Sequence, residues 1–199
     1  MAVPESERRF VLWLALFAAV VAVLPNILAL TVFQPPGARY IGSEWATDDY
    51  MVYAAWTRQA MEGSLFFDSR FTTDPQAGLT LNLFFLLLGQ LARVTGVAFA
   101  LAAAKFVFSG AFVLLLHRLV RRVSDDPFAV KLACVFAVFG GGVGFLLWHR
   151  FGETIARPAP AALSSVLGGR LPTDVWQPEG FVFPSMITTG LFMAALCLM

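Results

Sequence analysis

The apolar run from Phe10 to Phe33 constrains this chain more than any other feature. A helix that crosses a bilayer needs about 20 consecutive apolar residues, and in hydrocarbon only helices and closed barrels satisfy their own backbone groups. The run is too long for the core of a signal peptide. It ends in Gln34-Pro-Pro-Gly, with no small-x-small cleavage site behind it. It is therefore expected to be a retained first transmembrane helix. Composition agrees: of 199 residues, 58% are hydrophobic and 14% charged, too little polar surface to cover a soluble domain of this size. The net charge is +1 and the basic residues form no face, so no nucleic-acid partner is expected. Cys134 and Cys197 lie in apolar runs as small hydrophobes and form neither a disulfide framework nor a metal motif.

Four further apolar stretches follow, Leu79–Leu91, Val97–Leu116, Phe128–Trp148 and Phe181–Met199. The first of them, about 13 residues or roughly 20 Å as a helix, is short for a span. His117, Arg118, Arg121, Arg122 and Lys131 make the turn between the next two the most basic short loop, which the positive-inside rule places in the cytoplasm with Arg8 and Arg9. Two crossings then fit between the N-terminus and that turn. The expected class is all-α, a polytopic transmembrane helical protein forming one membrane domain over 1–199. Its spans fall near 10–33, 97–116, 128–148 and 181–199, and its external loops at 34–96 and 149–180. Residues 79–91 lie at the interface or enter the membrane and return. Because the chain stops inside an apolar run, it is expected to be the N-terminal piece of a longer polypeptide, inactive alone.

This threading gathers Asp48, Asp49, Glu153, Arg157 and Glu179 on one external face. The adjacent carboxylates Asp48 and Asp49 each raise the cost of ionising the other, which makes them candidates for a general base or a cation site. They also suit a helix start, where acidic groups meet the positive end of the dipole. A helix is expected from Asp48 to Glu62, with Tyr50, Tyr53, Ala54, Thr57 and Met61 on one face and Gly63 as C-cap. Tyr40, Trp45, Tyr50, Tyr53 and Trp56 suit an interfacial anchor. Lys105 lies about 12 Å into its apolar stretch, where a cation must snorkel, pair or face a wet cavity; a cation there would attract a lipid phosphate. Asp74-Pro75 is positioned to cap the helix that follows. Phe139-Gly-Gly-Gly-Val-Gly144 lies inside an apolar span, so it fits close helix packing or a distorted helix better than a nucleotide loop. Trp176, Pro178 and Glu179 form a turn before the last span.

The chain resembles the GT-C superfamily of membrane glycosyltransferases, which includes the protein O-mannosyltransferases and the lipid A aminoarabinose transferases. The shared layout is a first span, an acidic pair opening a juxtamembrane helix in the first external loop, a second juxtamembrane helix, and a span returning to a basic cytoplasmic turn. Uncharacterised bacterial proteins of that superfamily carry an Asp-Tyr-x-x-Tyr-x-x-x-x-Arg-Gln-x-x-x-Gly run, matched by Asp49, Tyr50, Tyr53, Arg58, Gln59 and Gly63. They also carry a Trp-x-Pro-Glu turn, matched by Trp176, Pro178 and Glu179. The resemblance implies sugar transfer from a polyprenyl-phosphate donor to an acceptor on the extracytoplasmic face of a bacterial inner membrane, the N-terminus being cytoplasmic. Asp49 or Asp48 would act as general base. Lys105, Arg58 or Arg157 would stabilise the departing phosphate, with Tyr53, Trp176 and Glu179 also at the substrate site. No cofactor is implied, and the two carboxylates leave a divalent cation open. The expected partners are the lipid-linked donor and membrane lipids. A transporter or flippase subunit, or a membrane protein without chemistry, would use the same charges differently.

Overall fold

The computed structural model describes residues 3–34, 36–43, 47–74, 78, 80–141 and 180–199. Among them are seven helices and no strand: α1 (Glu5–Thr31), α2 (Thr47–Met61), α3 (Leu83–Thr95), α4 (Val97–Arg121), α5 (Pro127–Phe139), α6 (Val182–Thr188) and α7 (Gly190–Leu198). The all-α class is thus as expected. By length and composition, α1 and α4 are able to cross a membrane, while α3 and α5 are shorter apolar helices.

Local signals explain most boundaries. Asn82 caps α3 through Phe84 N, and Asp126 caps α5 through Phe128 N with Pro127 in the first turn. The cap of α3 corrects the expectation for Asp74, which lies well before the helix. Only Gly96, at φ +83°, separates α3 from α4. The 3.6-residue pattern places α2 as expected, and Gly63 follows it with φ +102°. α5 stops at Phe139, where the glycine run begins; residues 142–148 of the expected span lie outside the described residues. The expected span 181–199 is interrupted. Thr189, at φ −151° and ψ 140°, ends α6 and caps α7 by accepting from Leu191 N.

α1 and α4 are antiparallel, since Glu7 meets His117 and Arg121 while Asn26 meets Lys105. Their contact is a seam of small residues: Ala15, Ala18, Ala19 and Ala22 are buried, and Gly110 of α4 faces Ala15 and Ala19. Two apolar cores share α4. One joins α1, α4, α5, α6 and α7 around Ala18, Val113, Val130, Cys134 and Met193. The other joins α2, α3 and α4 around Ala60, Phe67, Phe85, Leu88 and Leu101.

Candidate functional site

α2 carries the acidic pair and is held by its aromatic face. Tyr53 stacks on Phe85 with centroids 5.4 Å apart, and Trp56 meets Phe85 edge-on at 5.3 Å. Gln59 exchanges two 3.0 Å hydrogen bonds with the Asp68 backbone, donating to its carbonyl and accepting from its amide. Arg93 Nε donates to Met61 O at 2.9 Å, satisfying a carbonyl at the end of α2. This leaves Asp48 and Asp49 exposed in the first turn, where the helix dipole favours negative charge.

The next residue, Tyr50, connects that turn to the rest of the molecule. Its hydroxyl donates to Ile41 O at 3.0 Å. Gly42, buried at φ +109°, lets the loop pass under the ring; a Cβ here would overlap the Tyr50 hydroxyl and lie 2.9 Å from Ala98 Cβ. From the other side, Asn26 Nδ2 donates to Gly42 O at 3.3 Å and to the Tyr40 hydroxyl at 2.8 Å. Asn26 Oδ1 accepts from Lys105 Nζ at 2.8 Å. Segment 40–43 is therefore gripped by the acidic helix on one side and by Asn26, with Lys105 behind it, on the other.

Lys105 is 5% exposed, so it pairs rather than snorkels. Its second acceptor, Ile187 O at 2.9 Å, is a product of the helix break. In a continuous helix that carbonyl would take the amide of Leu191, but Leu191 N donates to Thr189 Oγ1 instead. The ammonium replaces the missing donor. Gly190 permits the approach, because a Cβ there would stand 2.8 Å from the Ala104 carbonyl carbon and the Lys105 amide.

A groove of about 650 Å³ opens beside this network. Val21, Leu24, Pro25, Leu28 and Ala29 of α1 form one side, and Phe183 and Ile187 of α6 the other. Arg39, Tyr40, Ser43 and Gln34 supply its polar rim. Arg39 is exposed, and none of the ion pairs among the described residues includes it.

The expected site residues thus divide into three sets. Lys105 reaches segment 40–43 through Asn26, and the turn that carries Asp48 and Asp49 reaches it through Tyr50, the two carboxylates themselves being exposed. Arg58 and Tyr53 do not join them: Arg58 pairs with Glu62 at 2.6 Å, and Tyr53 packs against Phe85. Arg157, Trp176 and Glu179 lie outside the described residues. Sequence reasoning missed Asn26 and Arg39 and gave Tyr40 only as part of an interfacial anchor, although an amide beside Pro25 inside an apolar run was a visible signal. It also missed Glu7, wholly buried at the far end of the bundle. The Glu7 carboxylate accepts from Arg121 Nε at 2.7 Å and Nη2 at 2.6 Å, and lies 2.7 Å from His117 Nε2. Among the described residues, no group of three metal-ligating side chains occurs.

No protein-family model, curated protein or solved structure matches the chain.

Proposed function

We propose that the chain is part of a polytopic bacterial inner-membrane glycosyltransferase of the GT-C type. It would move a sugar from a polyprenyl-phosphate donor to an acceptor on the extracytoplasmic face, its N-terminus being cytoplasmic. The observation that carries this reading is the joining of the Asp48–Asp49 turn, through Tyr50 and segment 40–43, to Asn26 and the buried cation of Lys105. The exposed flank of α1 supports the membrane setting. Trp13, Phe17, Val20, Leu24, Ile27 and Leu30 are each between 41% and 70% exposed, a continuous apolar surface that water would penalise.

In the reaction, a carboxylate of Asp48 or Asp49 takes the proton of the acceptor hydroxyl or amine. The acceptor atom bonds to the anomeric carbon while the bond from that carbon to the phosphate oxygen breaks. The phosphate leaves with the electron pair, and a cation stabilises it. The test is sugar transfer by the full-length protein with Asp48→Asn and Asp49→Asn. Loss of 10²- to 10⁴-fold in rate from one of them, with folding intact, is the expected result. Unchanged transfer in both would refute the assignment. The interrupted α6–α7 segment favours a second reading, since broken helices whose free carbonyls face cations also build transporter sites. That reading predicts carboxylate-dependent substrate flux in vesicles without sugar transfer.

A further inference from the structure

At the end of the bundle that holds Glu7, the acidic groups sort the basic ones. Glu5 takes Arg9, Glu7 takes Arg121 and His117, Asp125 lies 4.0 Å from Arg121, and Asp126 caps α5. Lys131 stands over the Phe10 ring at 5.6 Å. Arg8, Arg118 and Arg122 remain. All three are exposed, and no ion pair or side-chain hydrogen bond among the described residues includes them. We infer that they hold the phosphate of an anionic phospholipid, whose acyl chains lie along Leu12, Leu16 and Leu114. In the topology proposed above, that lipid belongs to the cytoplasmic leaflet.

Helical register brings the three arginines together. Glu7 meets residues 117 and 121, so Arg8 stands level with Arg118, and Arg122 follows one turn later. They also share a side of the α1–α4 pair. Gly110 faces Ala15 and Ala19 across the seam. On α1, Arg8, Leu12, Ala15 and Ala19 recur at spacings of three or four, and on α4 Gly110, Leu114, Arg118 and Arg122 do the same. In an antiparallel pair both rows border one side of the contact. α5 and α6 pack on the other, where Phe10, Leu116 and Val120 join their core.

The shape and the charge of that open side fit the same ligand. Short side chains make the seam a furrow: Gly110 faces α1 and is still only half-buried. Leu12, Leu16 and Leu114 are exposed along its banks. Helix axes in contact lie about 8–10 Å apart, so one phosphate between them is within reach of guanidinium groups from both, each offering paired donors. Such an anion also relieves a cost that α4 otherwise carries, because Arg118 and Arg122, four residues apart on one face, repel each other. Three cations above an apolar bank match a lipid of net negative charge, whereas a zwitterionic headgroup would bring a cation of its own to them.

The experiment is native mass spectrometry of the full-length protein in a neutral detergent, titrated with dioleoyl phosphatidylglycerol. It reads neither sugar transfer nor substrate flux, so its outcome is separate from that of the proposed reaction. One tight adduct is expected, with dioleoyl phosphatidylcholine binding about tenfold or more weakly. Arg8→Gln weakens the adduct about fivefold, and Arg118→Gln with Arg122→Gln about thirtyfold. Arg9→Gln and Lys131→Gln remove the same charge from the same end but lie off the furrow, and each leaves the adduct within twofold. Equal loss in these two variants would overturn the inference, since a diffuse layer of counter-ions responds to charge alone. Equal binding of phosphatidylcholine would overturn it as well, and so would displacement of the adduct by equimolar glycerol phosphate, which has no acyl chains.

Discussion

Replacing Gly89 by alanine sets two effects of known size against each other. Within a helix, alanine is favoured over glycine by about 1 kcal/mol, because it restricts the unfolded chain and shields the backbone. At Gly89, however, a Cβ would overlap Ala60 Cβ and stand 2.7 Å from the Ala60 carbonyl carbon and 2.8 Å from the Met61 amide. Carbon contacts are optimal at roughly 3.5–4.0 Å, so α2 and α3 must part by about 1 Å. The obstructing atoms are backbone and Cβ, which cannot swing aside. Overpacking of this kind costs about 1–3 kcal/mol, and the parting also loosens the Phe85 stack with Tyr53 and Trp56. Packing therefore wins, by about 1–2 kcal/mol. For a chain of this size the fall in Tm is about 2–8 °C. Gly110→Ala is the control with the opposite sign: its Cβ would meet Ala15 O and Ala19 Cβ at 3.6 Å, an ordinary contact. Only the propensity gain remains, so Tm rises by up to about 4 °C. Thermal unfolding of both variants in one detergent decides the matter. A Gly89→Ala protein as stable as the parent, or a Gly110→Ala protein that falls equally, would refute the reasoning.

Three further outcomes are expected. Glu7→Gln removes the charge that Arg121 and His117 share in a fully buried position, and lowers Tm more than Glu5→Gln, whose Arg9 partner is exposed; equal Tm values would show the buried cluster to be dispensable. With Cys134 and Cys197 replaced, Thr47→Cys reacts in intact cells with a membrane-impermeant thiol reagent and Val123→Cys does not; the reverse pattern would move the carboxylates to the cytoplasm and end the glycosyltransferase proposal. Lys105→Met strips Ile187 O of its ammonium, and amide exchange across residues 186–191 accelerates by about tenfold, measured by mass spectrometry. An unchanged rate would mean that the break needs no tether.

What the sequence disclosed follows from the range of the interactions. α2 was legible because its pattern is local: Tyr50, Tyr53, Ala54, Thr57 and Met61 recur at helical spacing and Gly63 stops the helix. α4 was legible from a long apolar run in which Lys105 is the one charge before the cations at its end. The break at Thr189 was hidden because both halves are equally apolar, and only the pair Thr189-Gly190, a cap followed by a residue with no side chain, betrays it. Lys105 stood out by its depth, but its partners are 79 and 82 residues away and left no local trace. Glu7 drew no reading at all, since the arginine that pairs with it lies 114 positions downstream. Arg39 falls in a short polar turn, where nothing in the order of residues announces a trough alongside.

Those separations have a consequence for the order of events during synthesis. When α4 leaves the ribosome, Asn26 is already present, so α1 can offer Lys105 its first acceptor at once. The second acceptor, at residue 187, is still to be translated. At the usual pace of about 5–20 residues per second, the ammonium waits several seconds without the Ile187 carbonyl. The nascent α1–α4 hairpin must therefore keep Lys105 close to water, or in transient company, until α6 arrives. Delivery of one carbonyl then closes the trough wall and settles the charge in a single late step.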